Sequence, residues 1–480
     1  MAWYLSHEFI ILKIISYCSY IIIIYNLLMQ MNPTGGLLNV VWSALRSVGR
    51  LRPKFPIFGL RRELKLTDVI LIGIGGTIEA SIFVLIAPGA AIAGKLLPVS
   101  FILGGILAFA VALIYAEVAT NMPSEGADLR FIFKSFTSDL WAFITSWLVI
   151  LGDLAYFALN LLGLAFYVRA IIPINHLVFA VVVLLAVTAA NLRGVKRVSL
   201  VESAITILLL FFFAVFIGWV FFNNFNSLLP AEPVVDGINL YSLGTILAGT
   251  ALIYTTFIGY EDITSVAGEV RQPHKVLPKA LIFTVVITTL LYVAISFLAT
   301  QVVPIEQLKT SESPLLLLAK ISNIPIFLIT ITAVLAILST IVVALLVASR
   351  KLYALSQEGY MKNSFGSLNQ RGIPTNAILF CSVIVLGLLF TNSIKFVAYL
   401  GNSVYLVGVI ATTIALVIMK NKDKNFGRWF KVPFFPLVPI LVTSLSMLVL
   451  IFVERGALIY VLAWAVVGGV VYFSTKLLKA

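Results

Sequence analysis

The stretch GIGGTIEASIF, from Gly73 to Phe83, places a single carboxylate, Glu79, in an uncharged run that is long enough with its flanks to cross a bilayer. A charge at the centre of a membrane helix costs roughly 2.5 to 3.5 kcal/mol on insertion scales, so such a residue usually faces a cavity or a partner rather than lipid. Gly73, Gly75 and Gly76 lower the helix propensity and leave the backbone free to open. The pattern predicts an interrupted membrane helix that carries a buried acid, which is typical of a transport site.

Composition indicates the same class of protein. Of the 480 residues, 61% are apolar and 11% are charged, and the mean hydropathy is +1.08, above what soluble globular chains show. A spanning helix needs about 20 apolar residues. The sequence therefore predicts an all-α polytopic membrane protein with twelve core helices, within 67–94, 98–120, 140–172, 175–191, 199–222, 244–268, 277–303, 325–349, 375–392, 394–419, 433–453 and 456–475.

Residues 1–66 form an N-terminal extension with two parts. Residues 9–31 are apolar apart from Lys13, and a basic stretch follows before residue 67. The apolar part is a signal anchor, a peripheral extra helix or an artefact of an upstream start, since a start at Met29 or Met31 leaves a sensible chain. The sequence leaves these alternatives open.

Lysine and arginine concentrate in alternate connections between the predicted helices. Because short cytoplasmic loops collect these residues, both ends of the twelve-helix body are predicted to face the cytoplasm. The net charge of +13 then reflects topology signals and contacts with the lipid bilayer, and no nucleic-acid partner is expected. The compact loops favour a prokaryotic cell membrane.

The chain shows a hint of internal duplication. The sixth predicted helix contains TTFIGYEDITSVAGEV, from Thr255 to Val270, which again joins a glycine to acids in a membrane segment. Segments 67–222 and 244–419 each hold five predicted helices, and residues 433–480 hold the last two. Because five is odd, the second repeat must enter the membrane from the opposite side. In such inverted repeats the discontinuous first helices of the two halves meet at the midplane and form the binding site.

Five motifs resemble the amino acid-polyamine-organocation transporters, in family order and over the whole twelve-helix body. In chain order they are GIGGTIEASIF (Gly73–Phe83), YAEVATNMPSEGA (Tyr115–Ala127), NLRGVK (Asn191–Lys196), FIGYED (Phe257–Asp262) with the helix exit GEVRQPHKVLPKA (Gly268–Ala280), and ASRKLYALSQEGYMKNSFGSLNQRGIPTNA (Ala348–Ala377).

This resemblance implies a leucine-transporter-like fold and an alternating-access carrier of amino acids. Its substrate carboxylate would lie near backbone N–H groups of the first helix, and its amine near carbonyl groups of the first and sixth helices. The implied substrate-binding residues are Gly75, Thr77, Ile78, Glu79, Ala80, Ser81, Ile82, Phe257, Ile258, Gly259 and Tyr260. The chain departs from the family pattern where a glycine-small-glycine run is replaced by Glu79-Ala80-Ser81. A polyamine or organic-cation carrier or exchanger, and a membrane sensor of the same fold, are the alternatives.

Three readings of Glu79 remain. In the first it titrates, neutral while substrate binds and ionised once the proton leaves. In the second it stays ionised and pairs with a cationic group, which favours an amine, a polyamine or a basic amino acid as substrate. In the third it is structural and accepts hydrogen bonds from unwound backbone or from an internal partner.

The coupling ion is also open between H+ and Na+. Sodium requires oxygen ligands, and Ser339, Thr340 and a carbonyl near Gly75 match the second sodium site of the fold. The alternative for both hydroxyls is a bond to their own helix. Proton-coupled relatives often carry a lysine in the fifth helix, but Ile205–Leu210 contains none. Glu79, or else Glu261, is then the proton carrier.

Other polar residues in the spans have structural readings. Glu117 and Glu202 lie near cytoplasmic helix ends, where a snorkelled or ion-paired structural role is expected rather than a substrate role. Asp153 either lines the cavity or bonds a neighbouring helix. Glu261 and Asp262 follow the second interruption and are expected to bind freed N–H groups or to form gating contacts, while Phe257 and Tyr260 cover the substrate or simply pack.

No enzyme is indicated. The predicted spans carry no nucleophile-base or metal-ligand constellation, and His7, His176 and His274 are scattered along the chain. Cys18 and Cys381 are far apart in sequence and suit core packing. Neither a cofactor nor a bound metal is expected.

Overall fold

The computed structural model describes residues 64–122, 127–136, 138–193, 199–225, 240–369, 372–423 and 426–477. The predicted N-terminal extension, with its hydrophobic segment 9–31 and its basic stretch up to residue 63, lies outside the described residues. Residues 123–126 of the second motif, which include Pro123 and Gly126, half of the NLRGVK motif, and Gln370 and Arg371 of the fifth motif also lie outside them.

Regular structure in the described ranges is helical, apart from one isolated backbone bridge between Leu64 and Val270. In chain order the helices are α1 (Leu66–Thr77), α2 (Ala80–Val84), α3 (Ile86–Ala93), α4 (Leu97–Asn121), α5 (Ala127–Ser135), α6 (Asp139–Arg169), α7 (His176–Arg193), α8 (Ser199–Asn223), α9 (Leu240–Ile253), α10 (Pro273–Val302), α11 (Ile305–Leu308), α12 (Pro314–Ile321), α13 (Ile326–Gln357), α14 (Thr375–Phe390), α15 (Ile394–Lys422), α16 (Leu437–Ile451) and α17 (Arg455–Leu477).

In the described part of the chain, nine helical segments are long and apolar enough to cross a membrane. Three shorter apolar helices, α1, α14 and α16, accompany them. This composition and helical content confirm an all-α, multi-pass membrane protein. The short helices α5, α11 and α12 were not predicted, because each is too short to appear as a membrane span in the sequence.

Several boundaries differ from those expected. Helix α10 begins at Pro273 rather than at 277, and α13 ends at Gln357 rather than at 349. In both places the helix continues into polar residues beyond the apolar run. Hydropathy marks the part of a helix that lies in lipid, whereas the helix itself ends where its backbone hydrogen bonds stop.

Helical structure is interrupted at both places where the sequence predicted it. Between α1 and α2, Ile78 and Glu79 are extended, with φ/ψ of −84°/99° and −141°/−160°. Helix α9 ends at Ile253 and is followed by a 3-10 turn, Tyr254–Phe257. Ile258 is extended, Gly259 has a φ of +117°, and a second 3-10 segment runs from Tyr260 to Glu269. The segment 244–268, predicted as the sixth helix, therefore consists of an α-helix followed by two separate 3-10 segments.

Helix packing places the first interruption inside the molecule. Helix α10 packs against α4 and α1, while α6 packs against α13, α15 and α17. Residues 80–84 of α2 are all buried and contact α6 and α13. The acid that precedes α2 is therefore surrounded by other helices rather than by lipid.

Candidate functional site

The carbonyl groups freed at the end of α1 bind tyrosine hydroxyls from two other helices. Tyr156 of α6 donates to the Gly76 carbonyl oxygen at 2.9 Å, and Tyr292 of α10 donates to the Thr77 carbonyl oxygen at 2.8 Å. The last carbonyl groups of a helix have no partner in their own helix. Here they are held by side chains from two different helices, α6 and α10.

The second interruption satisfies its own backbone in part. Gly259 has the left-handed conformation that favours glycine, and its N–H donates to Glu261 Oε2 at 3.0 Å. Glu261 thus matches the first of its two readings, in which an acid after this interruption binds a freed N–H group. The Thr255 hydroxyl donates to the Ala398 carbonyl oxygen at 3.0 Å, which fixes the 3-10 turn against α15.

The two interruptions touch through their glycines. A Cβ atom added to Gly76 would lie 3.0 Å from the Gly259 carbonyl oxygen, and one added to Gly259 would collide with the Gly76 carbonyl group. Only residues without a side chain allow two backbones to approach so closely. Helix one and helix six of the predicted body therefore meet at their breaks.

Glu79 lies beside this contact and is fully buried. The Asn160 amide of α6 donates to Glu79 Oε2 and to the Tyr156 carbonyl oxygen, the latter at 3.0 Å. The Asn160 Oδ1 atom accepts from the Ala80 N–H at 3.3 Å. In the described part of the chain, Glu79 Oε1 and Ser81 Oγ are buried without a hydrogen-bond partner. One carboxylate oxygen is thus held and the other is not.

The three residues of the predicted sodium site are placed as follows. The Thr340 hydroxyl donates to the Ile337 carbonyl oxygen at 2.9 Å and to Asn160 Oδ1 at 3.3 Å. Gly75 faces the Thr206 hydroxyl of α8. The side chain of Ser339 lies outside the described residues. The back-bond predicted for Thr340 is present, and the same hydroxyl also joins the Asn160 network.

Two further acids are ion-paired. Asp153 of α6 binds Lys351 of α13, with Oδ2 and Nζ 2.8 Å apart, so it bonds a neighbouring helix as one of its two readings proposed. Glu117 is fully buried and binds Lys420 at 2.9 Å and the Val432 N–H at 2.7 Å. Its structural reading is confirmed. The side chain of Glu202, given the same reading, lies outside the described part.

The aromatic residues of the second interruption are buried. The Phe257 ring centroid lies 5.5 Å from that of Tyr292 and 6.3 Å from that of Phe101. The Tyr260 hydroxyl donates to the Ala108 carbonyl oxygen at 3.3 Å. Both residues therefore make packing contacts around the interruption, and their role in covering the substrate stays a prediction.

Cavities of about 410 and 390 Å3 open elsewhere in the molecule. The larger lies between α6, α14 and α17, and the smaller is lined by the end of α3 and the residues around α11. Neither is lined by residues of the two interruptions, which pack directly on each other in this structure.

Comparison of the chain with models of known protein families shows which family it belongs to. The model of the family described as amino acid permease matches residues 64–473. The chain belongs to the amino acid permease family. This permease is thus a member of the amino acid-polyamine-organocation superfamily, as its motifs indicated, and a multi-pass membrane transporter rather than an enzyme.

Relatives of this permease carry different substrate names. It is 28% identical to the branched-chain amino acid permease BcaP of Bacillus subtilis, over 86% of this chain and 93% of that one. It is 25% identical to the methylthioribose transporter of the same organism, with the same shares covered. It is 24% identical to the vacuolar cationic amino acid transporter 4 of Arabidopsis thaliana, over 75% of this chain and 64% of that one.

Proposed function

We propose that this permease carries an amino acid across the cell membrane by alternating access, coupled to a proton that Glu79 binds and releases. One observation carries the proposal. Two helix interruptions meet at Gly76 and Gly259, and a fully buried carboxylate lies beside them with one oxygen unpartnered in the described part of the chain. A buried acid in a membrane span needs a function or a partner to offset its cost.

The substrate would bind where the interruptions separate. Its amine would lie near the carbonyl groups of Gly75, Thr77 and the Phe257–Gly259 turn. Its carboxylate would lie near the N–H groups of Ile78–Ile82, with Tyr260 completing the site. Because Asn160 already accepts from the Ala80 N–H, the substrate carboxylate would compete with Asn160 or use the remaining N–H groups.

This placement gives a physical reason for proton coupling. A substrate carboxylate at the start of α2 would lie beside Glu79, and two nearby anions in a buried site repel each other. Substrate binding and protonation of Glu79 would therefore favour one another, and the coupling is reciprocal because both are binding equilibria. Glu261, whose carboxylate binds the Gly259 N–H, is the second candidate carrier, and a sodium ion at Gly75, Ser339 and Thr340 is the alternative coupling ion.

We propose the following organisation of the chain. Segments 67–222 and 244–419 are five-helix repeats of opposite orientation, and residues 433–480 add helices eleven and twelve of a leucine-transporter-like fold. Both ends of this body face the cytoplasm of a prokaryotic cell, and residues 1–66 precede it. The nine long apolar segments and the three shorter apolar helices support this count of spans.

The relatives suggest which substrates to test first. The relative that is 28% identical over 93% of its length is named a branched-chain amino acid permease, so leucine, isoleucine and valine are the first substrates to test. A cationic substrate is the second candidate, because Glu79 Oε1 is buried without a partner among the described residues and a substrate ammonium would supply one.

The experiment is uptake into proteoliposomes under an imposed pH gradient. Glu79→Gln should abolish pH-driven accumulation and spare substrate-substrate exchange, since the amide keeps the shape of the side chain but does not bind and release a proton. Glu261→Gln tests the second candidate carrier, replacement of sodium by choline tests the alternative ion, and the exposed Glu454→Gln is the control that should change nothing. Full pH-driven uptake by Glu79→Gln would rule out Glu79 as the carrier. A sensor would bind substrate without accumulating it.

A further inference from the structure

The cavity of about 410 Å3 lies away from the transport site, between α6, α14, α17 and the connection that follows α13. Its walls are mostly apolar and include Phe380 and Ile384 of α14 and Val467 of α17. Lys362, in the connection after α13, also lines the cavity. The site is therefore an apolar space with one cation on its boundary.

The floor of this cavity is a rigid pair of indole rings. Trp147 of α6 and Trp464 of α17 stack with centroids 4.7 Å apart and planes 8° from parallel. Each indole N–H donates to the backbone carbonyl oxygen of the other tryptophan, at 2.9 and 3.0 Å. Both polar atoms of the floor are thus already bonded. A ligand lying on it meets carbon surfaces and would be apolar.

The helices that line the cavity expose apolar side chains beside it. Val467 lines it and is 46% exposed, and Val470 on the same helix and Val383 on α14 are each 64% exposed. Apolar side chains exposed on helices of a membrane protein contact hydrocarbon. An acyl chain from the bilayer would therefore meet apolar side chains at the edge of the cavity.

Lys362 supplies a positive charge that would favour lipids with anionic headgroups over lipids without net charge. Its side chain is exposed, and the described residues give it no acidic partner. Lys362 follows the C-terminal end of α13, and Lys476 lies in the last turn of α17. Both helix ends are predicted to be cytoplasmic, so two cations lie at the cytoplasmic side of the cavity. A lysine near the membrane surface attracts anionic headgroups.

We propose that this cavity binds an anionic phospholipid, with one acyl chain on the Trp147–Trp464 floor and the headgroup phosphate at Lys362. The lipid would fill the space between α17 and the helices α6 and α14. This inference concerns binding alone and does not depend on the substrate or on the coupling ion.

The test is a lipid titration of the full-length, delipidated permease in detergent, read by native mass spectrometry. Phosphatidylglycerol and phosphatidylcholine with identical acyl chains are the probes. The unmodified protein should prefer phosphatidylglycerol, and Lys362→Gln should reduce this preference about fivefold, the effect of one lysine near an anionic surface. Lys279→Gln, an exposed lysine that does not line the cavity, is the matched control and should keep the preference.

A second variant tests the acyl chain. Val467→Trp narrows the cavity and should reduce tight binding of both lipids, and Ile384→Phe serves if that variant does not fold. The proposal is overturned if Lys362→Gln keeps the full preference, or if narrowing the cavity leaves lipid binding unchanged. It is also overturned if glycerophosphoglycerol, which has no acyl chains, competes as well as the lipid. Formation of a protein dimer that covers the cavity and excludes the lipid would overturn it too.

Discussion

Asn160 joins three parts of the site through one amide group. It donates to Glu79, accepts from the Ala80 N–H at the start of α2, and accepts from the Thr340 hydroxyl of α13. The residue is fully buried, so removing its side chain leaves buried polar groups without this partner. Asn160→Ala should lower the free energy of unfolding by about 1 to 3 kcal/mol, the cost of leaving buried polar groups without partners.

A double-mutant cycle measures how much of that loss belongs to Glu79. Combined with Glu79→Ala, the Asn160→Ala substitution should be non-additive by about 0.5 to 3 kcal/mol, because the two side chains are in direct contact. Unfolding of the purified protein in mixed micelles gives the four values. Asn402→Ala is the control partner, since Asn402 is also buried but binds the Ala251 carbonyl oxygen. Additivity of the Glu79 and Asn160 changes would show that their contact contributes nothing measurable.

At the scale of elements, the contact between the two interruptions depends on one backbone conformation. Gly259 has a φ of +117°, which L side chains rarely adopt, and a Cβ there would collide with the Gly76 carbonyl group. Gly259→Ala should destabilise the protein by about 1 to 3 kcal/mol through backbone strain. Because it also pushes the interruptions apart, uptake should fall at least about tenfold, equivalent to about 1.4 kcal/mol.

The matched control for Gly259 is another glycine in a membrane helix. Gly218 lies in α8, and a Cβ added there would meet no atom within 4 Å. Gly218→Ala should leave uptake unchanged and add about 0.5 to 1 kcal/mol of stability, the usual gain for alanine over glycine inside a helix. Equal effects of the two substitutions on uptake would mean that the Gly76–Gly259 contact has no special role.

The elements of the site differ in how far the sequence predicts them. Glycines beside an acid in an apolar run predict both interruptions, because glycine weakens a helix wherever it stands. Asn160 carried a usable signal, as a polar residue in the middle of an apolar helix, and was missed. Its contact with Thr340 had no signal, because that bond depends on how α6 and α13 cross. The same holds for Tyr156 and Tyr292, whose hydroxyls reach α1 from separate helices.

At the scale of the whole molecule, the orientation in the membrane has to be the same for all spans. Helix α10 has 30 residues and is therefore about 45 Å long, more than the roughly 30 Å of hydrocarbon it would cross. Lys275 in its first turn and Lys320 beyond its far end are both exposed and should lie on opposite sides of the membrane. The excess of lysine and arginine around Lys275 predicts that its side is cytoplasmic.

Cysteine labelling tests this orientation in cells. Cys18 and Cys381, the two native cysteines, are first replaced by alanine, and Lys320→Cys and Lys275→Cys are then made separately. A membrane-impermeant maleimide should label Lys320→Cys in intact cells and Lys275→Cys only after permeabilisation. The reverse pattern would invert the proposed topology, and labelling of both in intact cells would mean that α10 does not span. The outcome also shows which side of the membrane Lys362 faces, because α10 and α13 are successive predicted spans. Lys275 lies at the start of α10 and Lys362 lies after the end of α13, so the two lysines would face the same side.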